Sequence, residues 1–312
     1  MKTALIFPGQ GSQYIGMGHD FYSKYDVSRE MFDRLDGALK RNLSKLIFNG
    51  DESDLMQTQN SQPSIMATSI AIYKALLHES VLQEDYISCV AGHSLGEYSA
   101  LVTNKSLNFE DSVKLLKIRS KAMQDSMPIG TGGMVALIGC DENVIKTTIS
   151  SAKNEGSIYV ANDNANGQIV LSGDINAIDY IISNSKELNV KRAIKLPVTA
   201  PFHCKLIKSA SKIMSEEIYS YEFKPFSVPL YSNVTANKCN ELEIQKLLID
   251  QIISKVRWRE IVENMIKDGI INFIEIGPSN VLTNLVKRAS KNVNAISISK
   301  LEDIDKLDNI KL

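Results

Sequence analysis

The most informative stretch of the sequence reads Ile87-Ser88-Cys89-Val90-Ala91-Gly92-His93-Ser94-Leu95-Gly96. Its first five residues form a short apolar run that predicts a buried strand, and the residues from Leu95 to Val102 favour a helix. Between them, Gly92 to Gly96 match the G-x-S-x-G pattern of a nucleophile elbow, in the strand-to-helix setting that the elbow requires. We therefore expect Ser94 to project from a sharp turn with its hydroxyl exposed. The alternative is an ordinary turn that a serine caps.

Other segments predict that this strand belongs to a mainly parallel sheet. Apolar runs at Thr3–Phe7 and Ile270–Ile276 each stop at a turn that contains Gly and Pro, which indicates two more buried strands. Helical spacing extends from Ile65 to Leu77, with Pro63 just before the predicted helix, and again from Phe109 to Met127. Strands that alternate with helices of this length are typical of an α/β fold with helices on both faces of the sheet.

The middle of the chain predicts a second, smaller unit. Its predicted elements are, in order, a strand (134–138), a helix (142–153), a strand (158–161), an Asn- and Gly-rich turn (162–167), a strand (168–171), a helix (175–185) and a strand (191–196). The order β-α-β-β-α-β is the ferredoxin-like arrangement. We therefore expect a larger α/β-hydrolase-like domain over residues 1–127 and 198–312, with a ferredoxin-like small domain inserted over residues 128–197. The charged segment Lys300–Leu312 is expected to be a surface tail.

Composition excludes several classes of protein. The chain has 312 residues, of which 44% are hydrophobic and 23% charged, and these values exclude disorder and coiled coil. Lys plus Arg (35) nearly balances Asp plus Glu (36), and a net charge of -1 argues against a protein that binds nucleic acid through its phosphates. The four cysteines stand singly, without zinc-site or redox spacing. The N-terminal apolar run is too short for a signal peptide or a membrane span, which predicts a cytoplasmic protein.

A serine nucleophile requires a base, and the histidines supply the candidates. His78 ends a predicted helix and is expected at the surface, whereas the side chain of His93 is expected to point away from its neighbour Ser94. His203 follows Pro201 where the chain returns from the predicted small domain. It is the best candidate base, and a histidine that only packs at a domain junction is the alternative.

Two further features could bind a negatively charged group. Arg119 shares an apolar helix face with Leu115 and Ala122, so it is expected to point inward, although a solvated surface arginine is the alternative. A buried arginine requires an anionic partner, and a carboxylate held at two points is the strongest one. The loop Phe7–Gln13 follows the first strand and could offer backbone N–H groups to an oxyanion.

Taken together, these motifs resemble the malonyl-CoA:acyl carrier protein transacylase family of fatty-acid synthesis. The resemblance covers nearly the whole chain, and the motifs occur in the family's order and at its spacing. One departure is the absence of the proline that the family often has before the valine at position 256. The matching segments are Phe7–Gln13, Gly92–Tyr98, Arg119, Gly130–Gly139, Pro197–Cys204, Gln251–Trp258 and Gly277–Arg288.

The resemblance implies a two-step acyl exchange. Ser94 would become malonylated, and His203 would take its proton and later serve the leaving thiol. The backbone carbonyl of Gln251 would orient His203 in place of the aspartate of a Ser-His-Asp triad. Backbone N–H groups of Gln10 and Leu95 would form the oxyanion hole.

The resemblance also implies how substrates are recognised. Arg119 would hold the malonyl carboxylate, Asn162 would contact the pantetheine arm, and Phe202 would favour malonyl over methylmalonyl groups. Malonyl-CoA would be a substrate, with no permanently bound cofactor and no metal, and the enzyme would be a monomer. The acceptor would be an acidic acyl carrier protein. Two basic clusters could dock it, although both could equally be ordinary solvated faces: Lys186, Lys191, Arg192 and Lys195, and Lys287, Arg288 and Lys291.

Several alternatives remain open at this point. A serine esterase or thioesterase of the α/β-hydrolase type could use the same elbow, but its histidine normally lies near the chain end, and no histidine follows His203. A patatin-like hydrolase would need an Asp-Gly element as its base, and Asp268-Gly269 instead reads as a helix end. Two other functions remain as alternatives: a malonyl transferase of a polyketide pathway, and a carrier-binding scaffold without catalysis.

Overall fold

The computed structural model describes residues 1–310 and contains two separate β-sheets. The strands are β1 (Thr3–Phe7), β2 (Ile87–Gly92), β3 (Gly132–Ile138), β4 (Ile158–Ala165), β5 (Gln168–Asp174), β6 (Arg192–Lys195), β7 (Leu230–Tyr231), β8 (Lys238–Cys239), β9 (Asn272–Ile276) and β10 (Asn294–Ile298). The helices are α1 (His19–Lys24), α2 (Asp26–Leu39), α3 (Leu43–Asn49), α4 (Glu52–Met56), α5 (Thr58–His78), α6 (Gly96–Thr103), α7 (Phe109–Gln124), α8 (Glu142–Ala152), α9 (Ile175–Ser183), α10 (Lys208–Ile218), α11 (Ile244–Gln251), α12 (Trp258–Lys267) and α13 (Val281–Ala289). Short 3-10 helices occupy Glu84–Tyr86, Lys205–Ile207 and Leu301–Asn309.

The larger sheet has the strand order β10-β9-β1-β2-β7-β8, and only the β7–β8 pair is antiparallel. This confirms the predicted mainly parallel α/β sheet. All five residues of β1 are buried. Leu5 and Phe7 pack into one hydrophobic cluster, while Ala4 and Ile6 pack into another. Because successive strand residues point to opposite faces, apolar helices must cover both sides of this sheet.

The smaller sheet is antiparallel, with the strand order β4-β5-β3-β6. Its elements follow one another along the chain as β3, α8, β4, β5, α9 and β6, which is the order predicted from the sequence. Side chains such as Val135, Leu171 and Ile178 form a hydrophobic cluster of their own between this sheet and its helices. The smaller sheet therefore has a core that is separate from the two clusters of the larger one.

Two predicted boundaries are wrong. Helix α5 begins at Thr58, so Pro63 lies inside the helix rather than before it. The helix extends ahead of Pro63 because tertiary packing buries most of the polar residues there, namely Thr58, Asn60, Ser61 and Gln62. Strand β4 continues through Asn162 to Ala165, where a turn was expected, because this segment pairs with β5 across register shifts.

The prediction of a surface tail over Lys300–Leu312 is also wrong, for the residues that the structure describes. Leu301–Asn309 form a 3-10 helix. Leu307 and Ile310 are 4% and 5% exposed and join the largest hydrophobic cluster. Asp303 is buried as well and accepts hydrogen bonds from the backbone N–H groups of Ser299 and Lys300. The apolar residues of this segment are spaced so that they reach the core, whereas Glu302, Asp305, Lys306 and Asp308 are exposed. Residues 311 and 312 lie outside the described part of the chain.

Candidate active site

A strained turn places Ser94 at the carboxyl end of β2. Ser94 has a φ of 54°, a left-handed conformation that costs a non-glycine residue free energy. The two flanking glycines permit close packing that a side chain would prevent. A Cβ on Gly92 would lie 1.8 Å from the carbonyl carbon of Gly96, and a Cβ on Gly96 would lie 2.3 Å from the carbonyl oxygen of Phe7. The turn from β2 into α6 therefore has the geometry predicted for a nucleophile elbow.

His203 lies beside Ser94 even though 109 positions separate them in the sequence. The Oγ of Ser94 is 2.7 Å from Nε2 of His203, and Nδ1 of His203 is 2.9 Å from the backbone carbonyl oxygen of Gln251. A carbonyl can only accept, so Nδ1 carries the proton and Nε2 is free to accept one from Ser94. His203 also has a positive φ, of 59°, so the surrounding structure holds both members of the pair in strained conformations.

The electrostatic environment keeps His203 neutral. Burial and the positive charge of Arg119 lower the pKa of His203 to about 3, against the hydrogen bond to Gln251, which raises it. A neutral imidazole at pH 7 is the form that accepts a proton. The Ser94–His203 pair is therefore prepared for general-base activation of the hydroxyl.

Arg119 is fully buried, which confirms the predicted inward orientation. Its Nη1 donates to Oε1 of Gln62 at 2.7 Å, and its Nη2 donates to Oγ of Ser94 at 3.0 Å and to Oε1 of Gln251 at 2.8 Å. Its Nε has no hydrogen-bond partner within residues 1–310. All three acceptors are neutral, and burial lowers the pKa of Arg119. Glu97 lies near enough to act on Arg119 through its charge but does not hydrogen-bond it. A buried guanidinium with no acid among its hydrogen-bond partners is costly, so this geometry favours an anionic ligand next to Ser94.

A cavity of about 130 Å³ opens at the Ser94–His203 pair. Gln10, Asn162 and Phe202 line it, so the structure brings these predicted residues together with the pair. Phe202 is 5% exposed, and the Oδ1 of Asn162 is buried without a hydrogen-bond partner among the described residues. A wider groove of about 840 Å³, between α8 and α12, contains none of the predicted site residues.

Two backbone N–H groups are available near the nucleophile. Leu95 directly precedes the first residue of α6, and Gln10 lies in the loop after β1. Within the described residues, neither N–H group has a hydrogen-bond acceptor. Free N–H groups at a helix N-terminus are suited to stabilise negative charge. No cluster of three His, Cys, Asp or Glu side chains that could hold a metal occurs in this part of the chain, and none of its helices is long and apolar enough to span a bilayer.

Several polar residues beneath the elbow are not predicted from the sequence. Glu97 is completely buried and accepts a 2.5 Å hydrogen bond from the backbone N–H of Asn233. The side chain of Asn233 in turn bonds the backbone of Ser94 and Gly92, and Gln62 bonds Arg119 as described above. One signal could have located Asn233: it follows β7, which lies parallel to β2, so the carboxyl ends of the two strands meet at the same edge.

Two other histidines, His78 and His93, lie where the sequence predicted. His93 points away from Ser94, because its Nε2 is 2.9 Å from Oδ1 of Asn164 on β4 and its ring packs near Trp258. His78 lies at the end of α5, away from the site. Neither competes with His203 as a partner for the serine.

The site has the groups that nucleophilic acyl chemistry requires. A serine lies on a strand-to-helix turn of an α/β sheet, with a neutral imidazole and a buried cation beside it. The comparisons with known proteins place the chain among proteins with this chemistry. The family profile of the acyl transferase domain matches residues 4–304, and the chain belongs to this family.

Proteins of known name match this chain over almost its whole length. The malonyl CoA-acyl carrier protein transacylase of Bacillus subtilis (strain 168) is 40% identical over 306 residues, which are 97% of this chain and 95% of that protein. The crystal structure of an acyl-carrier-protein-S-malonyltransferase from Bartonella henselae has a TM-score of 0.94 at 38% identity and covers 98% of both chains. A malonyl-transacylase in complex with its type II PKS acyl-carrier protein has a TM-score of 0.94 at 32% identity, over 99% of this chain and 100% of that one.

Proposed function

We propose that this protein transfers a malonyl group from malonyl-CoA to the pantetheine thiol of an acyl carrier protein in fatty-acid synthesis. The names of its relatives supply the reaction, and the site supplies a physical reason for the malonyl group. The proposed enzyme is a cytoplasmic monomer that needs no bound cofactor.

The observation that carries this proposal is the buried Arg119. Its Nε and Nη2 lie on one edge of the guanidinium, and that edge can bind both oxygens of a carboxylate. Nη2 already contacts Oγ of Ser94 at 3.0 Å, and Nε has no partner among the described residues. An acyl group with a terminal carboxylate would satisfy Arg119 while its thioester lies at Ser94. An uncharged acyl group would leave the cation unpaired.

The first step forms an acyl-enzyme. The proton of Ser94 moves to Nε2 of His203 as Oγ attacks the thioester carbonyl carbon. The N–H groups of Gln10 and Leu95 stabilise the oxyanion, and each such donor contributes a factor of about 10²–10³ in rate. The C–S bond then breaks, and His203 returns the proton to the sulfur of CoA.

The second step repeats this chemistry in reverse with a new thiol. The pantetheine thiol of the carrier gives its proton to His203 and attacks the malonyl ester. The bond to Ser94 breaks, and the hydroxyl regains its proton from His203. The unpaired Oδ1 of Asn162 would accept an N–H group of the pantetheine arm, and the ring of Phe202 would crowd a branched acyl group and so select malonyl over methylmalonyl.

We further propose that residues 128–197 form a ferredoxin-like domain inserted into the domain formed by residues 1–127 and 198–312. The strand order β4-β5-β3-β6 supports this division, because it places the first and third strands of the unit in the middle of its sheet. The cavity lies between the two units, with Met134 and Asn162 on one side and Gln10 and Ser94 on the other.

The two basic clusters are the proposed docking surface for an acidic carrier. All seven residues of the clusters are exposed. In the small sheet Ile138 pairs with Arg192 on one side and with Gln168 on the other, and Gln168 bonds Arg288 of the second cluster. Arg192 of the first cluster and Arg288 of the second therefore lie at the same end of the smaller sheet, and opposite charges at such a surface steer association.

Intact-protein mass spectrometry after mixing with malonyl-CoA alone tests the proposal. We expect the wild type to gain one malonyl group and the Ser94→Ala variant to gain none, because the ester can form only on the nucleophile. The adduct should disappear, with release of malonyl-carrier, when a pantetheinylated carrier protein is added.

Two results would contradict the transfer reaction. One is the absence of an adduct on the wild type. The other is free malonate as the main product, which would favour the serine esterase or thioesterase alternative.

A further inference from the structure

Glu97 is a buried acid that the reaction described above does not use. It lies in the first turn of α6 and is 0% exposed, and its side-chain oxygens accept hydrogen bonds from Asn233 and Gln251. Burial raises the pKa of Glu97 to about 8, whereas hydrogen bonds from Asn233 and Gln251 and the charge of Arg119 lower it. A buried carboxyl group is costly unless its hydrogen bonds are satisfied, so its position requires a reason.

One oxygen of Glu97 supports the elbow. Oε1 accepts the backbone N–H of Asn233, and this bond fixes the loop after β7. The Oδ1 of Asn233 then accepts the N–H of Ser94 at 2.7 Å, while its Nδ2 donates to the carbonyl of Gly92 at 2.7 Å. Glu97 is therefore linked through one residue to both ends of the strained turn.

The other oxygen of Glu97 fixes the side-chain amide of Gln251. Nε2 of Gln251 donates to Oε2 of Glu97 and to the carbonyl of Ser94, the latter at 3.0 Å. Oε1 of Gln251 consequently faces Arg119 and accepts from its Nη2. A carboxyl oxygen can accept a hydrogen bond in either protonation state, whereas the NH₂ group of an amide can only donate. Glu97 thus helps to fix which way round the Gln251 amide lies, together with the carbonyl of Ser94, which can only accept, and the guanidinium of Arg119, which can only donate.

We propose that Glu97 is a positioning residue for acyl-group selection: it fixes the Gln251 amide so that Oε1 holds the Arg119 guanidinium beside Ser94. The proposal rests on the malonyl transfer proposed above. Glu97 acts on the carboxylate-binding cation through Gln251, and the Ser94–His203 pair does not depend on it in the same way. His203 is held by the backbone carbonyl of Gln251, which does not change when the side-chain amide turns over.

Glu97→Gln is the informative substitution. Its NH₂ group would face an N–H donor, either the backbone of Asn233 or Nε2 of Gln251. The Gln251 side chain can relieve this clash by turning over, but Nε2 would then face Nη2 of Arg119, donor against donor. We expect the half-saturating concentration of malonyl-CoA for Ser94 acylation to rise roughly tenfold or more. Because the substitution can also weaken the bond to Asn233, labelling of Ser94 by the uncharged reagent phenylmethylsulfonyl fluoride serves as the reference, and the ratio of malonyl acylation to this labelling should fall below that of the wild type.

A matched control separates positioning from general destabilisation. Glu275 is also fully buried and accepts hydrogen bonds from Ser279 and Thr283, away from the cavity. Glu275→Gln makes the same chemical change and should leave the ratio of malonyl acylation to sulfonyl labelling unchanged. Arg119→Ala removes the cation itself and should show the full loss of malonyl acylation. The smaller loss expected for Glu97→Gln is measured against it. Glu97→Asp keeps two acceptor oxygens and should retain a higher ratio than Glu97→Gln.

The outcomes are distinguishable. If the ratio of malonyl acylation to sulfonyl labelling is the same for Glu97→Gln as for Glu275→Gln, the positioning role is overturned. If Glu97→Gln does not fold, a wild-type ratio in Glu97→Asp together with normal thermal stability would support the role, and an equal loss of both reactions would overturn it. A wild type that forms no malonyl adduct would instead refute the transfer reaction, and the selection role with it.

Discussion

At the scale of single residues, the site depends on a histidine that stays neutral. His203 is buried next to Arg119, and both effects disfavour its protonated form. In the proposed reaction the neighbouring cation would therefore have two roles: it would hold the anionic acyl group, and it keeps His203 neutral and able to accept a proton.

The pH dependence of Ser94 labelling follows from this environment. Because the pKa of His203 in the folded protein is about 3, labelling by phenylmethylsulfonyl fluoride should keep its rate as the pH falls from 8 to 5. Arg119→Ala removes a positive charge and should move the acid limb to higher pH. An acid limb near 6.5, the ordinary pKa of a histidine, in the wild type would show that His203 is not the base or is not desolvated.

The free energy of unfolding also depends on pH, and the lowered pKa of His203 sets the sign of this dependence. In the unfolded chain His203 binds a proton below its ordinary pKa of 6.5, whereas in the folded protein it does not until about pH 3. In that window the unfolded state binds more protons, so His203 lowers the free energy of unfolding as the pH falls. The neutral base is therefore maintained at a cost in acid stability.

At the scale of secondary-structure elements, the close packing of β2, α6 and the loop after β1 holds the nucleophile. Residue identity is tightly constrained at Gly96, where a Cβ would lie 2.3 Å from the carbonyl oxygen of Phe7 and 2.9 Å from that of Pro8. Both neighbours are backbone atoms of the central strand and the loop that follows it, so they cannot move aside without disturbing the sheet.

Gly96→Ala is expected to lower the free energy of unfolding by about 1–3 kcal/mol, as overpacking typically does, and to slow Ser94 labelling. Gly37→Ala is the control. Gly37 lies within α2, and a Cβ there meets no atom within 4 Å, so alanine should be neutral or stabilise the helix by up to about 1 kcal/mol. Urea unfolding of both variants measures the difference. Equal effects would show that the elbow tolerates a side chain.

At the scale of the whole molecule, the near-zero net charge conceals a local asymmetry. The chain carries a formal charge of -1, yet Arg192 and Arg288 flank one end of the small sheet. An acidic partner responds to the local potential within about 10 Å at 0.1 M salt rather than to the total charge.

Charge reversal tests the docking surface. Arg192→Glu should raise the KM for the carrier protein several-fold and reduce its salt dependence, while the malonyl-CoA half-reaction stays unchanged. Lys212→Glu, on the exposed side of α10, changes the net charge by the same amount and should leave the carrier KM unaffected. Equal effects of the two variants would remove the small-sheet surface as the docking site.

The sequence by itself predicted the local features: the strand Thr3–Phe7, the elbow around Ser94 and the order of the smaller unit. It favoured an inward Arg119 but left a solvated arginine open, and the structure decided between the two. The strand, the elbow and the order of elements depend on hydrophobic periodicity and on glycines a few residues apart, such as Gly92 and Gly96, so short windows of sequence contain the information. The same local signals misplaced the start of α5 and the C-terminal segment, where burial of particular side chains overrides propensity.

Only the tertiary structure decided which distant groups meet. The 2.7 Å contact between Ser94 and His203, the neutral partners of Arg119 and the support from Glu97 and Asn233 all join segments far apart in the chain. Nothing in the composition of a short window marks a buried glutamate as a hydrogen-bond hub rather than a helix-start residue. Its role follows from desolvation and from donors that other strands and helices bring to it, and both exist only in the folded chain.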